Sequence, residues 1–240
     1  KLKQLSKLYL DIVGPRTEET VRRVKQTLQG IEHLNELGIG VSTFDHPVRE
    51  ILPAHLNSLR ISICRPNNFN LTTEKLLSST RKLTWLQIEF KKFDDNPWFQ
   101  FGVINKGICS LEHLRFLSYI FEDSSFGEAQ AETLFKNFHK LPGLRSIMTK
   151  FRKKMPIASY SKLGEILRKC VDETNLEWLD IGFSEQKDLT NADFKEILQP
   201  IFGNFKLKTL TIDLDLCPLI QREGLSWISS MKSPSDPNNP

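Results

Sequence analysis

Residues 83–90 read Leu83-Thr84-Trp85-Leu86-Gln87-Ile88-Glu89-Phe90, a phrase of the form L-x-x-L-x-I-x-F. Its second half alternates apolar and polar residues, the period of a strand with one buried face. With apolar substitutions the phrase recurs along the chain. It reads LSKLYLDI from Leu5, LNELGIGV from Leu34, LNSLRISI from Leu56 and LRFLSYIF from Leu114. It returns as LRSIMTKF from Leu144, LEWLDIGF from Leu176 and LKTLTIDL from Leu207. The starts are therefore 29, 22, 27, 31, 30, 32 and 31 residues apart. Self-similarity at such a period is the mark of a repeat architecture.

Between phrases the apolar period becomes helical. After Thr17-Glu18-Glu19, which can cap and charge a first turn, Val21, Val24, Leu28 and Ile31 share one face. Further helices are expected over Leu134, Phe135, Phe138 and Leu141; over Leu163, Ile166, Leu167 and Cys170; and over Phe194, Ile197, Leu198 and Ile201. Thr190 and Asp193 suit a helix start before Phe194. A strand plus a helix cannot bury its apolar face alone, so neighbouring units must stack. The expected fold class is α/β: a curved, parallel sheet of about eight strands on the concave side, with helices on the convex side. At ~4.8 Å per strand the sheet would run roughly 34 Å.

Departures from the period are local. The short step from Leu34 to Leu56 leaves room only for a short or 3₁₀ helix near Pro47 to Ile51. Residues 91–97, KKFDDNP, suggest a longer loop before a helix carrying Trp98, Phe99 and Phe101. Leu216 to Met231, with Leu219, Ile220, Leu225, Trp227 and Ile228, reads as a closing helix. The repeat domain is expected over 1–232 and a polar, proline-rich, disordered tail over 233–240.

The phrases, their period and the intervening helices resemble ribonuclease-inhibitor-type leucine-rich repeats, which implies a horseshoe-shaped solenoid. One departure is that the usual Asn or Cys after the strand is mostly missing. Cys64 and Cys217 sit near that place, whereas Lys91, Glu122, Arg152 and Ser184 do not fit. The stretches LEHLRFLSYIFED from Leu111 and LFKNFHKLPGLRSI from Leu134 resemble the C-terminal domain of a NOD-like receptor of the neuronal apoptosis inhibitory protein branch. That resemblance implies a sensor arm of an innate-immune, inflammasome-type receptor. Such an arm holds its receptor inactive and contacts a microbial ligand, while a separate nucleotide-binding domain does the switching. No G-x-x-x-x-G-K-[ST] motif is present in this chain. The start at Lys1, already amphipathic by Leu2 and Leu5, is read as a C-terminal piece of a larger protein.

Composition is compatible with this reading. The chain has 240 residues, 39% of them apolar and 26% charged, and a net charge of +4. That mild charge does not by itself imply nucleic acid or a membrane surface. No apolar run reaches the ~18 residues needed to span a bilayer. Cys64, Cys109, Cys170 and Cys217 are 45, 61 and 47 residues apart, without a C-x-x-C pair. Reduced thiols in a cytoplasmic protein are expected.

If positions i+3, i+5 and i+7 of each phrase are buried, i+2, i+4 and i+6 must face the concave side. The partner-binding residues expected there are Tyr9, Arg60, Trp85, Gln87, Glu89, Phe116, Ile120, Met148, Lys150, Trp178 and Asp180. Exposed aromatics of this kind anchor interfaces. The alternative is that they shield one another along the sheet. A second candidate is the rim carrying Arg65, Lys91, Lys92, Arg152, Lys153 and Lys154, but Glu122, Asp123 and Glu185 share it, so a mixed solvated rim is expected.

Enzyme signals are weak. Gly38-x-Gly40 is half a dinucleotide fingerprint with no third glycine. The histidines His33, His46, His55, His113 and His139 lack ligand spacing, and His33, His55 and His113 each directly precede the first leucine of a phrase. Asp94-Asp95 suits a turn or cap. No G-x-S-x-G or Cys-His cluster appears. No catalysis, cofactor or metal is expected. The expected function is a non-catalytic protein-interaction domain whose partner is a protein ligand or neighbouring domains of the parent chain. A substrate-recognition arm of a ubiquitin-ligase adaptor and a scaffold subunit are the alternatives.

Overall fold

The computed structural model describes residues 4–12, 18–41, 52–64, 77, 80–91, 101–122, 128–152, 160–202, 206–221 and 225–228. Eight strands form one parallel sheet in sequence order. They are β1 (Lys7–Ile12), β2 (Glu36–Val41), β3 (Ser58–Cys64), β4 (Trp85–Lys91), β5 (Phe116–Glu122), β6 (Ser146–Arg152), β7 (Trp178–Gly182) and β8 (Thr209–Asp213). The helices with described bounds between them are α1 (Glu18–Gln29), α2 (Phe101–Ile108), α3 (Glu128–Phe135), α4 (Tyr160–Glu173) and α5 (Asn191–Leu198). Every strand starts at the third residue of a phrase, and the phrases pair in register: Leu37 with Leu59, Leu59 with Leu86, Leu86 with Leu117.

Two backbone devices set this register. The carbonyl of each phrase's second residue accepts two N–H groups from the next phrase. Asn57 and Ser58 bond to Asn35, Thr84 and Trp85 to Asn57, and Arg115 and Phe116 to Thr84. Upstream, a tight turn precedes each of five phrases: Leu34 N–H donates to Ile31, Leu56 to Pro53, Leu83 to Thr80, Leu114 to Leu111 and Leu144 to Leu141. The repeat is thus longer than the eight-residue phrase, and the register histidines His33, His55 and His113 occupy the third place of these turns.

The buried face of the sheet is a set of ladders. Leu34, Leu56, Leu83, Leu114, Leu144 and Leu176 are all fully buried. At the far end of the strands, Phe90 stacks on Phe121 at 5.1 Å, Phe121 on Phe151 at 5.4 Å and Phe151 on Phe183 at 5.6 Å. Such spacing follows from one ring per strand at ~4.8 Å with a lateral offset. Helices cover this face: Phe101 of α2 meets Phe90 at 5.5 Å, and Phe135 of α3 meets Tyr119 at 5.9 Å. Successive helices from α2 to α5 contact one another.

Local sequence explains the helix ends. Thr190 Oγ1 accepts the Asp193 N–H and Asp193 Oδ2 accepts the Thr190 N–H, a reciprocal capping box on α5. Asn105, buried on α2, donates to the carbonyls of Leu134 and Lys136 at 2.6 and 2.7 Å, so a neighbouring helix satisfies the C-terminal end of α3.

Three expectations about helices need correction. The pattern Leu134-Phe135-Phe138-Leu141 is not one helix: α3 stops at Phe135, Asn137 takes a left-handed conformation (φ 68°), and Phe138–Lys140 form a 3₁₀ turn. All four apolar side chains remain buried, so the period persisted while the backbone changed. Ile31 and Ile201 lie just past the ends of α1 and α5 rather than in them. Leu216 to Gln221 form turns, with Leu216 at φ 56°, and only Leu225 to Ile228 are helical among the described residues of that segment. Trp227 still closes this end, edge-on to Phe202 at 5.6 Å and Phe194 at 6.4 Å. The expected short helix near Pro47 to Ile51, the loop past Lys91, Trp98, Phe99 and the tail lie outside the described residues.

Side-chain ladders also run between turns, at Cys217, one of the two cysteines expected near that place, and at Gln186, which was not expected. The Gln186 amide donates to the Phe151 carbonyl at 3.2 Å, and the Cys217 thiol donates to the Phe183 carbonyl. Gln186 and Cys217 both stand ten residues after the first leucine of their phrases, two past the position occupied by Ser184.

Candidate interaction surface

Pairing one face of the sheet with helices leaves the other face uncovered among the described residues. The register brings the outward positions into columns, so Trp85, Phe116, Ser146 and Trp178 are consecutive partners. All eleven residues expected to bind a partner lie on this face. Two constellations stand on this face, with a closed middle that holds Gln87 and Ile120.

The first spans β1 to β5. The Tyr9 ring lies over Gly38 of the next strand: a Cβ there would come within 2.3 Å of Tyr9 Cδ1. The glycine is the seat of an aromatic ring, which accounts for its place in the repeat. Tyr9 donates its hydroxyl to Glu36, and Lys7 pairs with the same carboxylate at 2.9 Å. These two partners, Tyr9 first, hold the Glu36 carboxyl below its ordinary range. Arg60 stands beyond the glycine, its guanidinium 5.9 Å from the Tyr9 ring centre and 5.8 Å from that of Trp85. Trp85 in turn stacks on Phe116 at 5.4 Å, with planes 2° apart.

The second spans β6 to β8. The Lys150 stem crosses Gly182, where a Cβ would meet its Cγ at 3.1 Å, and its ammonium reaches Asp213 at 3.4 Å. The Asp215 N–H, then Lys150 and Ser184, hold the Asp213 carboxyl below its usual value. The Trp178 indole donates to Thr211 at 3.2 Å and stays 41% exposed. Beside it Asp180 is buried, and its Oδ1 has no hydrogen-bond partner among the described residues.

Burial pushes the Asp180 carboxyl up, helped by Asp213 and opposed by Lys150. With the folded value above the unfolded one, the folded chain holds an extra proton between the two. Stability therefore falls as pH rises through that window, and the deficit persists above it. Asp180→Asn is accordingly expected to raise the unfolding midpoint at neutral pH, with the gain fading below the ordinary carboxylate range. Urea titrations at about pH 7 and about pH 3 check this, and equal gains at both would exclude buried charge as the cause.

The middle departs from expectation. Ile120, expected to stand in solvent, is only 8% exposed, flanked in register by Glu89 and Lys150. Gln87 and Ser118 are also buried on this face. Strands ~4.8 Å apart let long side chains close over shorter ones beside them. Mutual shielding thus occurs at Gln87, Ile120 and Asp180, while Tyr9, Arg60 and Trp178 remain exposed and Trp85, Glu89, Phe116, Met148 and Lys150 are half-buried. Glu36, Gly38, Thr211 and Asp213 occupy outward places of the phrase but were not among the residues expected to bind a partner. Gly38 and Gly182, small outward residues beside the large Tyr9 and Lys150 of the preceding strands, were the available signal.

The basic rim is of mixed sign where it is described. Lys91 pairs with Glu89 at 3.4 Å, and exposed Arg152 is the register partner of Glu122. Arg65, Lys92, Lys153, Lys154 and Asp94-Asp95 lie outside the described residues. On the helical side, a cleft of about 390 Å³ lies between α4 and the segment from α3 to the 3₁₀ turn, lined by Phe135, His139, Ile166 and Cys170. Burial drives the Cys170 thiol far up, so it stays protonated and un-nucleophilic. Among the described residues no group of three or more His, Cys, Asp or Glu is placed to hold a metal, and no helix is long and apolar enough to cross a membrane. No protein-family model and no curated protein matches this chain.

Proposed function

We propose that this chain is a leucine-rich-repeat solenoid that acts as a non-catalytic interaction domain, gripping a protein partner on its uncovered sheet face. The observation that carries the reading is that face itself: eight parallel strands presenting Tyr9, Trp85, Phe116, Met148 and Trp178, with 57% of Tyr9 and 41% of Trp178 left in solvent. Large aromatics in that setting are typical anchors of protein interfaces. A helix follows the strand in five of the seven intervals between strands among the described residues, and this order supports the repeat reading. The resemblance of residues 111–123 and 134–147 to NOD-like receptors extends it to the ligand-sensing or autoinhibitory domain of a cytoplasmic innate-immune receptor.

The test is the paired substitution Trp85→Ser with Trp178→Ser, placed in the receptor-length protein. Circular dichroism should remain that of the parent. Partner affinity, or the restraint of the receptor in its resting state, should weaken about thirtyfold, as expected for losing an interface anchor. A folded double variant with unchanged binding and unchanged autoinhibition would show that the sheet face is not the interface.

A further inference from the structure

We propose that Arg60 is a receptor for an acidic side chain of the partner protein, with the Trp85–Phe116 stack taking the apolar residue beside it. This deepens the reading of the sheet face as the interface and rests on it.

Arg60 is an exposed guanidinium with five N–H donors in one plane. Among the described residues no carboxylate lies within ion-pair distance of it, and Glu36 feels its charge only as a minor, through-space attraction. Glu36, the acid one strand away, is occupied by Tyr9 and Lys7, and Glu89, on the strand beyond, pairs with Lys91. What does hold Arg60 is aromatic: Tyr9 on one side and Trp85 on the other, both within cation–π range. Ring contacts of this kind restrict the long side chain yet leave the in-plane donors free. The entropy of ordering it is already partly spent before any partner arrives. An ordered fork of parallel N–H groups matches a carboxylate.

The surroundings select among anions. A nucleic-acid backbone would meet Glu36, Glu89, Asp180 and Asp213 on the same face, so phosphate chains are disfavoured there. A chain-terminal carboxylate is usually captured by free backbone N–H groups. Here β2, β3 and β4 pair with strands on both sides, so none of them offers an open edge near Arg60. An Asp or Glu side chain remains. The Trp85–Phe116 stack stands one to two strands away, roughly 5–10 Å, the reach of the next one to three residues of an extended segment.

The experiment uses the isotopically labelled chain and three capped dipeptides followed by NMR: acetyl-Glu-Phe-amide, acetyl-Gln-Phe-amide and acetyl-Gln-Phe with a free carboxyl terminus. Acetyl-Glu-Phe-amide should shift both the Arg60 Nε–H and the Trp85 indole signals, and the glutamine amide should bind about fivefold or more weakly, because it lacks the charge-assisted pair. The free-terminus peptide should do no better than the glutamine amide. In Arg60→Gln the preference for glutamate should vanish while the phenylalanine-dependent shift at Trp85 persists. Equal binding of the glutamate and glutamine amides, tighter binding of the free terminus, or an undiminished preference in Arg60→Gln each overturns the assignment. If that happens while the Trp85→Ser, Trp178→Ser variant still loses its partner, only the acid receptor falls. An unaffected double variant removes the surface itself.

Discussion

Phe121→Ala is expected to lower the unfolding free energy by about 3–5 kcal/mol, the range for removing a fully buried aromatic ring from a core that cannot collapse around the gap. Phe121 is 2% exposed and sits between two rings, Phe90 at 5.1 Å and Phe151 at 5.4 Å, with interplanar angles of 8° and 10°. Its loss opens the phenylalanine ladder in the middle, so both neighbours lose a stacking partner. Each such pair is worth about 0.5–1.5 kcal/mol beyond burial. Phe121→Leu separates the terms: it keeps most of the buried area and should cost only about 1–2 kcal/mol. Phe183→Ala offers a second comparison. It is equally buried, yet among the described ring contacts it stacks on Phe151 alone, at 5.6 Å. Its cost should fall below that of Phe121→Ala. Equilibrium urea unfolding of the three variants checks the order, and a Phe121→Ala cost below about 1 kcal/mol would show that the ladder is dispensable.

The same ladder shows why so much of the fold could be read from residues alone. Phe90, Phe121, Phe151 and Phe183 all occupy the last place of the phrase, and the strand register follows that phrase without a slip. Period-2 alternation fixes which face each residue occupies, since a one-residue shift would turn every leucine outward. Helix limits were less legible because burial of Phe138 and Leu141 is compatible with a helix, a 3₁₀ turn or a loop. The difference lies in the backbone of Asn137, which the apolar pattern does not encode. Gln186, which ties successive turns together as Cys217 does, was hidden for a similar reason. Their common offset becomes visible only once the carbonyls of Phe151 and Phe183 are seen to need donors.

The surface was legible as a face but not as a set of contacts. Alternation placed Tyr9, Arg60, Trp85 and Phe116 on one side, yet nothing in a column of letters says that Arg60 lies between two rings. That arrangement depends on the width left by Gly38, where a side chain would collide with Tyr9. Likewise the exposure expected for Ile120 and Asp180 failed because the side chains of neighbouring strands lean over them, a cross-strand effect invisible along a single strand.

Glycine also decides the second large effect, with a sign opposite to helix propensity. Gly164 lies inside α4, where alanine is normally better by about 1 kcal/mol. A Cβ at that position would stand 2.4 Å from the Ile197 carbonyl oxygen, 2.9 Å from that of Glu196 and 3.0 Å from the Ile197 carbonyl carbon. All three atoms belong to the backbone of α5, so no side-chain rotation relieves the clash. The helices must separate, and Ile197, which is fully buried, must move with its backbone. Overpacking of a tight core costs about 1–3 kcal/mol and can exceed that where the obstacle is main chain. Gly164→Ala is therefore expected to destabilise the protein by about 2 kcal/mol or more after the propensity gain is subtracted. Gly102, near the start of α2, is the matched control. A Cβ there meets only Thr133 Cγ2, at an ordinary 3.7 Å, so Gly102→Ala should stabilise by about 0.5 kcal/mol. Paired thermal and urea unfolding of the two variants reads out the difference. If both substitutions raise stability alike, α4 and α5 do not pack through a glycine contact, and the close approach of these two helices is wrong.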